Sequence, residues 1–445
     1  MLAATPPAGA SQEPGAPPLE VLYGFTLIDG LGGPPVPDGA LAIRGDRIVS
    51  AGPRARVIED VTGAEQPILV DLGGGWVVPG LIDAHVHLAT APDRAAAEAE
   101  LRRLLRAGIT TVRDMAGDAR SLAALARDAR TGLIEGPDIH FAALLAGPTF
   151  FSDPRAKSAT SGAVAGDVPW MQAFTPDSDP VLVVAMARGS SASGLKIYAD
   201  LEAADVRRIT AEAHRQGLPV WAHAMVHPAR PLEVVRSGVD VVSHACALAW
   251  EAMAEVPDRY HQDAAPSYPL FTPDAPVFDE LFSEMASRGT ILDATLAMHL
   301  RRGPFGVGPD TSRTTRGARA RRPSTAPMAS CADFAPALVR RAHAIGVRIA
   351  AGTDFSTPPG EPPALLLELE ALVDVGGLSP MEAIEAATRV AAAAAGLEDA
   401  LGTLQAGMRL DLVILDDDPS RDVRNLRSVR EVWKGAARYP VGSPR

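Results

Sequence analysis

Between residues 76 and 400, short apolar runs alternate with stretches rich in Ala, Leu, Arg and Glu, and this alternation restricts the possible folds more than any other feature. The apolar runs are GLIDAHVHL, TTVRDM, DIHFAALLAG, GLKIYA, PVWAHA, DVVSHA, TILDATL and VRIAAGTD. Helical patterning falls between them at Arg94–Ala107, Leu122–Thr131, Ala203–Gln216, Pro231–Ser237, Phe278–Arg288, Pro336–Ile345 and Ala364–Val375. Strands separated by helices imply parallel βαβ units. Eight such strands fit a closed (β/α)8 TIM barrel better than an open sheet. No GxGxxG follows a strand, which argues against a dinucleotide-binding domain.

The ends of the chain carry a different pattern. Residues 19–75 alternate apolar and polar positions between Gly, Pro and Asp turns, and residues 401–445 repeat that style in LDLVILDDDP and SVREVWKGAARYP. They predict a small β-sandwich domain assembled from both termini, flanking a catalytic barrel at 76–400. Residues 1–18, rich in Ala, Pro and Gly, read as a disordered leader. They lack the apolar core of a secretory signal, yet such a leader also fits a chain whose signal peptide has been removed, so both a cytoplasmic and a periplasmic or secreted location stay open. Two long connections, about 147–180 and an arginine-rich one at about 300–330, follow the third and seventh strands, on the barrel face that carries chemistry. For the Arg301–Arg322 stretch a solvated surface loop is the simpler expectation.

A net charge of -12 disfavours nucleic acid as a partner, and no apolar run is long enough to span a membrane. A small-molecule substrate is expected, and a homo-oligomer is compatible with the sequence. The two cysteines, Cys246 and Cys331, form no CxxC pair. Spacing alone cannot show a disulfide between them, and two buried free thiols are the simpler expectation.

Chemistry-bearing residues cluster at the strand ends. In PGLIDAHVHL, His85 and His87 stand at i and i+2, so both imidazoles face one side of the strand as a metal-binding pair. Only three of the 42 basic residues are lysines, and one of them, Lys196, sits inside the apolar GLKIYA. A lysine there is costly unless it is paired or modified. A buried salt bridge would account for it, and so would reaction with carbon dioxide to give an anionic carbamate that bridges two metals. His223 and His244 end two successive strands with the same offset, and Asp354 follows the last strand after a Gly-Thr turn. A carboxylate there can bind a metal and take a proton from water, although one Asp in a turn can equally be a helix N-cap. Six candidates at the ends of strands one, four, five, six and eight lie where barrel active sites form.

At these residues the chain resembles the amidohydrolase superfamily from about residue 19 to its end. VVPGLIDAHVHL is similar to the first-strand signature, GTD at 352–354 to the eighth-strand aspartate motif, and TRVAAAAAGLEDALGTLQAGMRLDLVILDDDP to the return into the small domain. The resemblance implies two divalent metal ions, zinc by default. His85, His87 and Asp354 would hold the inner ion and His223 and His244 the outer one. Carboxylated Lys196 would bridge both. A bridging hydroxide would then attack the substrate carbonyl while Asp354 shuttles its proton. GLKIYAD is similar to the imidazolonepropionase-like and prolidase-like dipeptidase branch. That points to cleavage of a C–N amide bond in a dipeptide or N-acyl amino acid. A lactonase, esterase or phosphotriesterase on the same centre is the alternative, and a non-catalytic binding barrel the third reading. One departure bears on the substrate: where the branch has His-Ala-His-Gly, this chain reads His223-Ala224-Met225-Val226-His227. Tyr198, on the same strand face as Lys196, could donate to a substrate carbonyl or oxyanion, or simply pack in the core. His227 and Arg230 could bind a substrate carboxylate. His140, His214, His261, His299 and His343 share no strand-end offset and are expected to be structural, though His299 lies near the mouth after strand seven.

Overall fold

Eight parallel strands curl into a nearly closed barrel: Leu81–Val86, Ile109–Asp114, Asp138–Ala146, Gly194–Ile197, Val220–His223, Val241–Ser243, Ile291–Asp293 and Ile349–Ala350. In this computed structural model the described residues are 17–63, 66–261, 264–302 and 330–441. The disordered-leader expectation for 1–16 and the arginine-rich segment from 303 to 329 lie outside them. Each strand pairs in parallel with the next, and hydrogen bonds from the first strand to the eighth close the ring, Ala84 N–H to Ala351 O at 3.0 Å and Asp354 N–H to His85 O at 2.8 Å. The strands are buried on both faces, which explains why they read as continuous apolar runs.

Helices at the expected places cover the barrel, and their caps follow from the sequence. Asp93 and Asp118 accept backbone N–H groups at the starts of Arg94–Arg106 and Ala119–Arg130, and both helices carry arginines in the last turn, opposite the negative end of the helix dipole. The helix expected from Pro336 begins earlier, at Cys331–Ile345. Pro336 lies within it near the start, where the missing N–H costs least. The connection after the third strand is less irregular than expected. It contains a short helix, Pro154–Ser158, and a strand, Met171–Ala173, that pairs with the third barrel strand.

Both chain ends meet in a second sheet. Leu19–Leu27, Val36–Arg44 and Arg47–Pro53 pair antiparallel, and Asp411–Leu415, Val429–Lys434 and Ala437–Pro440 complete the sheet. The two sets join through Trp76–Pro79, four residues that the sequence pattern placed in the barrel, so the barrel itself begins at Leu81. One face of the sheet buries Leu22, Leu41, Leu412 and Trp433. The other is covered by a helix not expected from sequence, Arg54–Val61, whose Val57 and Val61 are one turn apart. Among the described residues no helix is long and apolar enough to cross a membrane.

The cysteines depart from expectation. Cys246 and Cys331 are 85 residues apart in sequence, yet their Cα atoms stand 5.5 Å apart and the two are disulfide-bonded. The 3-10 turn Ala245–Ala252 after the sixth strand packs against Cys331–Ile345, a tertiary contact that no spacing rule encodes.

Candidate metal centre

The first barrel strand places Asp83, His85 and His87 on one face by simple alternation. Lys196 comes from the middle of the fourth strand, His223 ends the fifth, His244 follows the sixth and Asp354 follows the eighth. All six expected ligands line one cavity of about 490 Å³ at the C-terminal mouth of the barrel. Asp354 is the hub. Its Oδ1 is 3.0 Å from His87 Nε2 and 3.5 Å from His85 Nε2, and its Oδ2 is 3.8 Å from His244 Nδ1. The rings of His85 and His244 are 5.1 Å apart, and those of His223 and His244 4.7 Å.

The backbone is bent to make this possible. His244 and Asp354 adopt φ of 77° and 57°, a left-handed conformation that non-glycine residues seldom take. Such strain is typical where a side chain must be turned inward from a strand end. Gly352 is needed beside them, because a Cβ there would come within 2.2 Å of Asp293 Oδ1 and 2.7 Å of His85 Cβ.

Donor chemistry fits divalent cations. Burial pulls the pKa of His85 down, and those of His223 and His244 well down, so these imidazoles are neutral and able to ligate. Burial pushes Asp354 up, but His85, His87 and His244 outweigh it and hold the carboxyl well below its usual range. His87 moves the other way: burial lowers it, and the hydrogen bond and charge of Asp354 raise it further than that.

Lys196 is wholly buried, with the Ser243 hydroxyl 3.5 Å from Nζ and, among the described residues, no carboxylate within ion-pair distance. The buried salt bridge that would account for it is absent there. Burial, with the Arg113 charge adding to it against Asp293 and Asp354, brings the ammonium down to about 7. A substantial fraction is then neutral amine, the form that can add to carbon dioxide.

Beneath the ligands lies a layer that sequence reading did not single out. Asp293, on the seventh strand, accepts from His85 Nδ1 at 2.7 Å, Ser243 Oγ at 2.9 Å and Arg113 at 3.2 Å. This fixes the His85 tautomer so that Nε2 faces Asp354. Arg113 is itself fully buried, donating to the carbonyls of Ala84 and Ala394 and lying over Trp221. Asp83 accepts from the backbone of His85 and from both the N–H and the hydroxyl of Thr353, pinning the GTD turn to the first strand.

The proposed substrate residues divide. Tyr198 lines the cavity with its ring 3.9 Å from that of His223, and burial raises its pKa well above the usual phenol value, so it stays an O–H donor. His227 also lines the cavity, against Trp250 and Tyr260. Arg230 does not: its guanidinium donates to the carbonyls of Met253 and Ala254. Among the described residues the arginine on the cavity wall is Arg155, ion-paired to Asp153 at 2.7 Å and with Nη2 3.3 Å from the Tyr260 hydroxyl. His261 and His299, expected to be structural, line the wall too. Phe150 and Trp250 and the methionines 115, 171, 225 and 298 make the rest of the wall largely apolar.

Strand-end histidines, a buried lysine and an aspartate hub around one cavity give this TIM-type barrel a set of candidate metal donors at its C-terminal mouth. Residues 76–245 and 329–438 match the amidohydrolase family model, and the chain belongs to that family. It is 27% identical to ochratoxinase of Aspergillus niger over 94% of this chain and 86% of that protein. It is 28% identical to imidazolonepropionase of Symbiobacterium thermophilum over 85% and 84% of the two chains. The crystal structure of A. niger ochratoxinase has the same fold, with a TM-score of 0.69 at 23% identity over 96% of each chain.

Proposed function

We propose that this hydrolase is binuclear and cleaves a C–N amide bond in a dipeptide or N-acyl amino acid. The observation that carries the reading is the convergence of six residues from five separate strands on one cavity, with buried neutral imidazoles, an ionised carboxylate and a lysine close to neutrality. His85, His87 and Asp354 would hold one cation and His223 and His244 the other, and carboxylated Lys196 would supply a further anionic ligand. Imidazole and carboxylate donors favour zinc. When bound, two such cations polarise a substrate carbonyl and acidify water.

The remaining work belongs to the chain. Asp354 receives the proton of the attacking water, most directly on Oδ2, the oxygen turned away from His85 and His87, and delivers it to the leaving nitrogen. Tyr198 donates its hydroxyl proton in a hydrogen bond to the substrate carbonyl oxygen as charge develops there. The apolar wall takes the acyl side and excludes water, while Arg155 and His227, which flank Tyr260, bind the carboxylate of the amino-acid product.

The test is amino-acid release from a panel of dipeptides and N-acyl amino acids, with zinc-loaded protein in bicarbonate buffer. Release from a defined subset establishes amide hydrolysis. No release from any member, with metals retained, transfers the reading to lactones, esters or phosphotriesters on the same centre.

A further inference from the structure

The cavity wall holds a second cluster of metal-ligating side chains that the proposed hydrolysis does not use. Cys246, His299 and Cys331 each offer a ligand atom, and these atoms lie within 4.8 Å of one another. Cys246 and His299 line the catalytic cavity. Cys246 follows the proposed ligand His244 by two residues, and the ring of His299 is 6.3 Å from that of His244. Thr295 stands between the two histidines, its hydroxyl 3.0 Å from His244 Nδ1 and 3.4 Å from His299 Nε2.

We propose that reduction of the Cys246–Cys331 disulfide opens a third cation site, built from two thiolates and the His299 imidazole and selective for a thiophilic divalent ion. The donor set is the argument. Zinc-like ions bind thiolate sulfur at about 2.3 Å and imidazole nitrogen at about 2.0 Å, so tetrahedral ligands sit roughly 3.5–4 Å apart; the two sulfurs, bonded in the oxidised protein, separate to that spacing on reduction, and the His299 ligand atom already lies within 4.8 Å of both. Three protein ligands leave one coordination position open toward the cavity. Its sulfur donors separate it from the imidazole–carboxylate centre, which holds harder or borderline ions.

The chemistry balances with a phosphine as reductant. The disulfide takes two electrons, the phosphine and one water become phosphine oxide, and the two hydrogens of that water become the two thiol protons. Those protons leave to solvent when the cation binds. Cys246 lies on the cavity wall, so a small reductant has a path to it.

The inference is independent of the two-metal reading, and the experiment keeps the two apart. The full-length protein, oxidised or phosphine-reduced, is titrated with Co2+, and bound metal is counted alongside the near-ultraviolet thiolate-to-cobalt absorption. Reduction is expected to add one cation per chain and to produce the sulfur band. Cys331→Ser should abolish both. His299→Ala should weaken the added site by more than about tenfold, since even outer-shell changes cost that much. If the Lys196-centred reading is wrong, the count of the oxidised protein falls while the increment and sulfur band persist. An unchanged count with no sulfur band on reduction overturns the third site. So does a sulfur band that survives in Cys331→Ser, or loss of the fold on reduction.

Discussion

Replacing Lys196 with Met should change stability in opposite directions in the metal-free and metal-loaded protein. The methionine keeps most of the side-chain volume and removes the amine. In the metal-free protein, burial depresses the Lys196 pKa from 10.5 to about 7. The sign follows from linkage: a group depressed in the folded state contributes stability above its unfolded pKa, and that contribution is lost as pH falls through the folded value. At about 1.4 kcal/mol per pKa unit, the full span is about 5 kcal/mol, an upper bound because the buried amine finds some compensation. Metal-free wild type should therefore gain about 3 kcal/mol relative to Lys196→Met between pH 7 and 9.5, and the variant should be the more stable of the two at pH 7. Loading with zinc in bicarbonate reverses the order. Two cations, each at a hundred times its dissociation constant, together add about 5.4 kcal/mol to the protein that binds them, more than the roughly 4 kcal/mol deficit at pH 7, and the variant lacks the bridging ligand. Urea unfolding of both proteins, stripped and loaded, at the two pH values measures every term. If Lys196→Met destabilises stripped and loaded protein alike, with no pH-dependent difference, the lysine is an ordinary structural cation and the bridging argument fails.

Three further perturbations separate the parts of the site. Asp293→Ala leaves buried Arg113 without its anion and His85 Nδ1 without its acceptor. Metal affinity should fall about 10–100-fold, read by competition with a chelator, and an unchanged affinity would mean that the Asp293 bond does not orient His85. Tyr198→Phe should lower kcat by about 10²–10³ with bound metal unchanged. A rise in KM alone would instead place the hydroxyl in ground-state binding. His140 is held at about 4 mainly by burial, with Arg130 and Arg409 adding to it against Asp138, so stability is lost as pH falls from 6.5 through 4. That loss reaches at most about 3 kcal/mol, and His140→Gln should flatten the acid limb of a melting-temperature profile by the corresponding amount.

The barrel was legible because strands buried on both faces read as short apolar runs, and helices with one buried stripe read as longer mixed ones. The ligand candidates were legible for a related reason: a histidine, lysine or aspartate at the end of such a run has few structural uses. The same reasoning applies to Asp83 in GLIDAHVHL, Arg113 in TTVRDM and Asp293 in TILDATL. They carry the same signal, a charged residue in an apolar strand, but ring closure joins them: Asp293 meets His85 across 208 residues. Arg155 and Tyr260 were missed because they lie in long connections, Arg155 on a single short helix and Tyr260 on a loop, with too little periodicity to say which side chains turn inward. Arg230 was singled out for standing beside His227 in sequence, whereas its guanidinium caps the 253–254 carbonyls. The disulfide had no local signature.

The measurement that bears most directly on a binuclear hydrolase is the metal content of the protein after loading in bicarbonate, set beside hydrolytic activity for wild type, His85→Ala and Lys196→Ala. Two zinc ions per chain in wild type, with metal and activity lost together in both variants, are expected. Full activity without bound metal, or either variant keeping two ions and full activity, would contradict the account.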